Sequence, residues 1–255
     1  MSMTGYLRLY MLIENGTITV PSYLNLVSLI EPIKIESKIF GHSTKGKPIE
    51  GYVIGKGQDT ILLMANIHGN ETGTKLLLDQ FVAKIKSNPN IVSRKKRLVI
   101  IPLVNPDGYE INKKMNANSV NLNLNFDTPG WDTWGPLGTY AGPKPFSEVE
   151  SQIIKQVVLQ YKPNMMISYH AQGALVAPEE SQSSFALAEW YADETGYTYE
   201  GSDSSDLNFW GTATMWFVRT TGNPAITVEL PKLTESDWDT NKKALNDLIS
   251  SNHVF

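Results

Sequence analysis

Three short apolar runs, each ending at a residue that can bind a metal or move a proton, leave this chain few architectures. Ile61-Leu62-Leu63-Met64-Ala65-Asn66-Ile67 leads into His68 and Glu71, Met165-Met166-Ile167-Ser168-Tyr169 into His170, and Ala225-Ile226-Thr227-Val228 into Glu229. Runs of this length, bounded by polar or Gly residues, read as buried strands of a largely parallel sheet. In an open α/β sheet, sites form in the crevice beyond the carboxyl ends of the strands, so these four side chains are expected to converge there. Two imidazoles and a carboxylate suit zinc with one coordination position left for water, and a further carboxylate outside the ligand set suits a general base. The pattern points to a zinc hydrolase.

Between the runs the spacing changes to that of helices. Leu76, Leu77, Phe81, Val82 and Ile85 predict a helix over residues 72–87, which puts His68 and Glu71 at a strand-to-helix junction and on one side of it. Residues 97–104 read as another buried strand, closed by the turn signal Asn105-Pro106-Asp107-Gly108. The Asn- and Gly-rich stretch that follows, up to residue 146, has the length of loops that carry function. Ser147, with Glu150 three residues on, forms a capping-box pattern that opens a helix running to Tyr161. Further helices are expected over residues 185–195 and 209–220, ended by Gly196 and Gly222, and from about Ser236. Glycines and Pro48 within residues 40–54 indicate a hairpin ahead of the first long strand. The expected fold is a single α/β domain over residues 37–255. Its central sheet is mixed and mostly parallel and is flanked by helices, with residues 1–36 as an edge segment packed on it.

Charge and composition remove other classes. With 22 basic and 26 acidic residues the formal charge is -4, and the one basic concentration, Arg94-Lys95-Lys96-Arg97, reads as a solvated loop. Nucleic acid is therefore not an expected partner. The absence of cysteine excludes disulfides and thiolate ligands, so a metal must be held by His and carboxylate. Of the other two histidines, His42 lies in a turn-like Gly-His-Ser-Thr and His253 near the end of the chain, both poorer ligand positions. No run reaches the length of a membrane span, and a cytoplasmic monomer or homodimer acting on a small peptide is expected, without a membrane partner. Alone, His68 and Glu71 also fit a half-buried imidazole and a helix-start carboxylate. A strand-end His and a strand-end Glu beside them make that coincidence a poor account. Trp131, Trp134, Tyr140, Trp210 and Trp216 either line a cleft or pack the loops.

Several segments also occur in the order of a known family. They are Gly41-His42-Ser43-Thr44-Lys45-Gly46-Lys47-Pro48-Ile49, Ile67-His68-Gly69-Asn70-Glu71, Asn105-Pro106-Asp107-Gly108, the Asn-rich stretch from Asn116 to Phe126, Pro145-Phe146-Ser147-Glu148, His170 and Ile226-Thr227-Val228-Glu229. Over most of its length the chain resembles the zinc metallocarboxypeptidases of the carboxypeptidase A type. The segment 142–148, the stretch from Trp210 to Trp216 and the compact length are similar to the small bacterial branch containing murein peptide amidases, which cleave the γ-D-glutamyl to meso-diaminopimelate bond. The resemblance implies a zinc carboxypeptidase-like (phosphorylase/hydrolase-like) fold and one Zn2+ per chain on His68, Glu71 and His170. It implies Glu229 as general base and then general acid, Lys114 as the charge near the oxyanion, Asn123, Lys114 and Leu124 in substrate-binding positions, and Asn121 behind His68.

Three positions depart from the family. Lys114 stands where the family has an Arg that steadies the oxyanion, keeping the charge and losing the planar fork. Leu124 replaces the Arg that clamps a substrate carboxylate, which argues against an ordinary C-terminal carboxypeptidase. Asn121 replaces an Asp that hydrogen-bonds the first zinc-binding His, so the ring is oriented without added basicity. Two other readings follow. An N-acyl amino acid deacylase of the aspartoacylase or succinylglutamate desuccinylase type shares the His-Gly-Asn-Glu turn, but only the 26 residues 230–255 follow Glu229, and they read as a helix rather than a β-rich portion. A catalytically impaired peptide-binding protein would explain the three departures but not the retained ligands and Glu229.

Overall fold

A computed structural model describes residues 12–14, 17–19, 32–201 and 210–250. It separates into one unit ending at Pro32 and a second beginning at Ile33. In the first, β1 (Leu12–Glu14) pairs antiparallel with β2 (Thr17–Thr19). The rest of the expected edge segment up to residue 31 lies outside the described residues, and Ile35 and Glu36 already belong to the sheet of the second unit.

The second unit contains β3 (Ile35–His42), β4 (Pro48–Ile54), β5 (Asp59–Ala65), α1 (Thr72–Ser87), β6 (Lys96–Ile101), α2 (Pro106–Glu110) and α3 (Val149–Tyr161). Then come β7 (Met165–Ala171), β8 (Leu175–Pro178), α4 (Gln182–Thr195), β9 (Thr198–Tyr199), α5 (Ala213–Thr221), β10 (Ala225–Leu230) and α6 (Trp238–Ser250). Eight strands form one sheet in the order β3-β4-β6-β5-β7-β10-β8-β9. Its centre, β6-β5-β7-β10, is parallel, and antiparallel pairings with β4 and β8 flank it, as expected for a mixed and mostly parallel sheet.

The pleat explains why the central strands are apolar throughout. Alternate residues of β5 and β7 enter opposite layers. Ile61, Leu63 and Ile167 pack with Leu77, Phe81, Leu187, Tyr191 and Leu245 from α1, α4 and α6. Leu62, Met64 and Met166 pack with Ile154, Val157, Trp216 and Phe217 from α3 and α5. Ile61, Leu62, Leu63 and Met64 are all 0% exposed, and burying each such side chain contributes about 1.5–3 kcal/mol. With β6 on one side of β5 and β7 on the other, the strand order reverses at β5, and the crevice at such a reversal is where α/β sheets place ligands.

Several local expectations need correction. Ser147 does not cap α3: the first residue is Val149, Glu148 occupies the cap without a side-chain bond, and Ser147 Oγ donates to Glu148 Oε1 instead. Glu150 is drawn away, accepting from the Thr44 backbone N–H and Asn116 Nδ2. Asn105-Pro106-Asp107-Gly108 opens the short helix α2, capped by Asn105 Oδ1, which accepts from Gly108 N at 2.9 Å. The helix expected over 209–220 begins at Ala213, residue 209 lying outside the described residues. Side-chain amides hold the Asn-rich stretch together. Asn125, 0% exposed, donates to Ala141 O, Lys144 O and Ser147 Oγ and accepts from Glu148 N and Ser151 Oγ. Among the described residues no helix is long and apolar enough to cross a membrane.

Candidate metal centre

The turn after β5 is built from its own polar groups. Asn66 takes a positive φ, a conformation Asn tolerates better than most residues, and its Nδ2 donates to His68 O at 2.6 Å. Thr74 Oγ1 accepts from Asn66 N at 3.0 Å and donates to Glu71 O at 2.7 Å, tying the turn to the first turn of α1. Gly69 N donates to Lys114 O, and a Cβ at Gly69 would overlap the backbone of Gly108 and Tyr109. The turn therefore passes against α2 and holds His68 and Glu71 on the sheet side.

The other two residues come from the sheet. Glu229 of β10 is the register partner of His170 of β7. Because side chains alternate, Met166, Ser168 and His170 share a face, as do Ala225, Thr227 and Glu229. That face is apolar at Met166 and Ala225, which belong to the α3/α5 layer, and becomes polar over the next two pairs towards the carboxyl ends. The crevice is thus written into both strands as a change from apolar to polar at every second residue.

His68, Glu71 and His170 converge, with one potential ligand atom from each lying within 4.8 Å of the others. His68 Nδ1 is 2.7 Å from Glu71 Oε1, His170 Nδ1 is 3.1 Å from Glu71 Oε2, and the two Nδ1 atoms are 3.3 Å apart. The far nitrogen of His68, Nε2, lies 2.9 Å from Asn121 Oδ1. That oxygen also accepts from Asn123 N at 3.1 Å, which fixes the amide's orientation. An acceptor there places the proton of neutral His68 on Nε2 and turns the Nδ1 lone pair towards the carboxylate. The Nδ1 atoms of two imidazoles and a buried carboxylate then face one another. Glu71 Oε2 is buried and, despite its closeness to His170 Nδ1, makes no well-formed hydrogen bond. A divalent cation satisfies this set, and the nitrogen and carboxylate donors are those zinc takes in hydrolytic sites. The residues fit a metal.

The electrostatics follow. Burial would raise the Glu71 carboxyl, but the charges of His68 and His170 outweigh it and hold it down at about 2. Burial lowers the pKa of His68 against the opposing pull of Glu71. At His170 burial also pulls down, and the charge and hydrogen bond of Glu71, with the charge of Glu229, overcome it to leave the pKa raised. Of the two rings, His170 is therefore the more readily protonated.

Glu229 is half-buried, with Oε2 buried and unpartnered among the described residues. Burial raises its pKa, Glu71 adds to the rise, and the charges of His170 and Lys114 oppose it. Lys114 is exposed, yet its charge reaches His68, His170 and Glu229 alike. Asn121 is buried behind His68. Asn123 is half-buried, its Oδ1 accepting from Ala213 N at 3.2 Å at the start of α5. Leu124 is 3% exposed; its side chain packs against Gly135 and its carbonyl accepts from Trp131 Nε1 at 2.8 Å. The aromatics divide. Trp216 is buried against Phe126 and Phe146, Trp131 meets Trp210 edge-on, and Trp134, 60% exposed, leans on Tyr140. His42 is exposed, and His253 lies outside the described residues. Sequence reasoning passed over Ser168 and Thr227 as members of apolar runs, although a polar residue two positions before each site residue was a readable signal.

Comparison with known proteins places this geometry. The family profile described as zinc carboxypeptidase matches residues 21–232. Murein peptide amidase A of Escherichia coli (strain K12) is 27% identical over 194 residues, covering 66% of this chain and 76% of that protein. A gamma-D-glutamyl-L-diamino acid endopeptidase of Lysinibacillus sphaericus is 24% identical over 256 residues, covering 78% of this chain and 62% of that protein. Among solved structures, the murein-tripeptide amidase MpaA of Escherichia coli O157 superposes with a TM-score of 0.67 at 23% identity, covering 86% of this chain and 93% of the other.

Proposed function

The chain belongs to the zinc carboxypeptidase family and is a hydrolase of peptide bonds, and from that premise we propose that it is an amidase of cell-wall peptides, cleaving the γ-D-glutamyl to meso-diaminopimelate bond. The observation that carries this is the convergence of the ligand atoms of His68, Glu71 and His170 within 4.8 Å, with Glu229 in register beside His170. The choice of bond is supported by relatives whose names are murein peptide amidase and γ-D-glutamyl-L-diamino acid endopeptidase.

His68, Glu71 and His170 would hold one zinc ion per chain, and a metal held there would supply Lewis acidity to a scissile carbonyl and to water near neutral pH. Glu229 Oε2 takes the proton of the attacking water and gives it to the leaving nitrogen, and the raised carboxyl suits both halves of that exchange. Lys114 supplies positive charge on the side where the carbonyl oxygen becomes an oxyanion. With Leu124 buried in loop packing, that position offers no carboxylate clamp, and recognition of the substrate falls to other residues.

The test is incubation of the zinc-loaded protein with L-Ala-γ-D-Glu-meso-diaminopimelate, following free diaminopimelate by mass spectrometry. Release is expected, and Glu229→Gln is expected to slow it by about 10²–10⁴ while retaining zinc. No release from protein shown to hold zinc would overturn the choice of bond.

A further inference from the structure

Trp131, Trp134, Tyr140, Trp210 and Trp216 are not used alike. Trp216 is buried in the core, and Trp131 commits its Nε1 donor to Leu124 O while its ring meets that of Trp210. Trp134 does neither. At 60% it is the most exposed large hydrophobic side chain among the described residues, and its ring lies 5.2 Å from that of half-buried Tyr140, tilted by 47°. The backbone holds this pair in place. Trp134 and Tyr140 face each other across an antiparallel bridge, with Gly135 N donating to Thr139 O at 2.8 Å and Ala141 N to Thr133 O at 2.9 Å. Gly138, at φ +69°, turns the hairpin over. An indole held out on a braced hairpin contributes little burial to the fold, whereas it offers a ligand a flat, rigid face with few rotamers to lose.

The hairpin is moored to the metal centre. Asn121 N donates to Tyr140 O at 2.8 Å, and Asn121 Oδ1 lies 2.9 Å from His68 Nε2. Leu124 packs its side chain against Gly135 at the base of the hairpin, so the residue that offers no carboxylate clamp supports the aromatic pair instead. Charge narrows what the pair can meet. From Asn116 to Gly142 the chain carries the exposed Asp127 and Asp132 and no Lys, Arg or His. A phosphate backbone or an anionic lipid surface would call for basic residues at the contact. Two tilted rings on an exposed hairpin present an open face, whereas an apolar side chain is held by an enclosed one. The open face suits a pyranose ring, whose C–H side stacks on aromatic rings. The ring's hydroxyls then have an acceptor in the carboxylate of Asp132, two residues before Trp134.

We propose that Trp134 and Tyr140 stack a pyranose ring, so that the substrate is a peptide still borne on an N-acetyl amino sugar rather than a free peptide. This deepens the amidase reading above and rests on it. With cleavage at the γ-D-glutamyl carbonyl, the sugar is joined through an acyl link to the L-Ala nitrogen. It therefore begins two residues and one linkage from the metal centre, about 7–11 Å for an extended chain. The hydrogen-bonded path from Tyr140 through Asn121 to His68 covers a span of that order.

The test is calorimetric binding to the zinc-loaded Glu229→Gln protein, which separates recognition from turnover. The three ligands are N-acetylmuramyl-L-Ala-γ-D-Glu-meso-diaminopimelate, its N-acetyl counterpart without the sugar, and a cyclohexylacetyl counterpart that carries an apolar ring of the same size. The sugar-bearing peptide is expected to bind about three- to tenfold more tightly than the N-acetyl peptide, and Trp134→Ala should bring that ratio close to one. Trp134→Phe should keep part of the preference, and Leu159→Ala, a comparably exposed apolar residue on α3, should leave it intact. Equal affinities, no measurable binding of any ligand, or a preference that survives Trp134→Ala would each overturn the assignment. So would a cyclohexylacetyl peptide that binds as tightly as the sugar-bearing one, since the pair would then take any apolar ring. A preference that behaves as expected, in a protein whose Glu229 form hydrolyses neither peptide, would sink the proposed reaction and leave the stacking surface standing. Hydrolysis of both peptides with equal affinities would do the reverse.

Discussion

At His68 the deciding partner is Asn121, whose Oδ1 accepts from the ring at 2.9 Å. An amide oxygen fixes the tautomer as a carboxylate would, but it adds no negative charge behind the ring, so the imidazole is a weaker donor to a metal. Asn121→Asp is therefore expected to tighten zinc binding about tenfold and Asn121→Leu to loosen it by a similar factor, measured by competition with a chromophoric chelator. Equal affinity in all three would mean that the turn alone sets the ring. The residues of this site were legible because each closes an apolar run, where a polar side chain has few structural reasons to stand. The carboxylate of Glu179, which accepts from Thr212 and Thr214 on the same sheet face, was not legible: it follows a four-residue strand too short to show periodicity, and its hydroxyl partners lie 33 and 35 positions on, at the start of α5.

Among the elements, α1 does most to position the ligands, since Glu71 is its cap residue and Gly73 lies in its first turn. Gly73 N donates to Leu233 O at 2.7 Å, and a Cβ at Gly73 would overlap the backbone of Glu235 in the loop after β10. The helix start that carries Glu71 is thereby pinned to the loop that follows Glu229. Gly73→Ala forces these backbones apart and is expected to destabilise the zinc-free protein by about 1–3 kcal/mol, read as a lower thermal midpoint by circular dichroism. An unchanged midpoint would show that the loop yields freely. The extent of α1 was readable because its apolar stripe has helical period over residues 72–87. The start of α3 was not, although Ser147 and Glu150 match a capping box. Both side chains were taken by partners distant in sequence, Ser147 by Asn125 and Glu150 by Thr44 and Asn116. A local pattern cannot register competition of that kind.

Across the whole molecule, the strand order turns a set of distant residues into one site. The order reverses at β5, so the turn after β5 and the ends of β7 and β10 open into the same crevice. That much follows from apolar runs separated by helical patterns, whereas the edges built from β8 and β9 do not, because those strands span four and two residues. The crowding of lone pairs in the crevice makes metal binding, protonation and stability one linked system. Glu71 is held at about 2, below its ordinary 4.5, so it contributes stability that is present above about pH 4.5 and is lost as the pH falls towards 2. The histidines oppose each other. His170, raised above 6.5, contributes stability that is complete below 6.5 and lost as the pH rises through its folded value. His68, lowered from 6.5, loses stability as the pH falls below 6.5. These two effects run in opposite directions in the metal-free protein, whereas zinc binding requires any proton on the ligand nitrogens to leave. The rise in thermal midpoint on adding zinc to chelator-treated protein is therefore expected to grow steadily between about pH 5.5 and 7.5. Scanning calorimetry of the two forms across that range checks this. In His170→Ala, which removes both a proposed ligand and the more readily protonated ring, the zinc-induced rise should be small and nearly flat with pH.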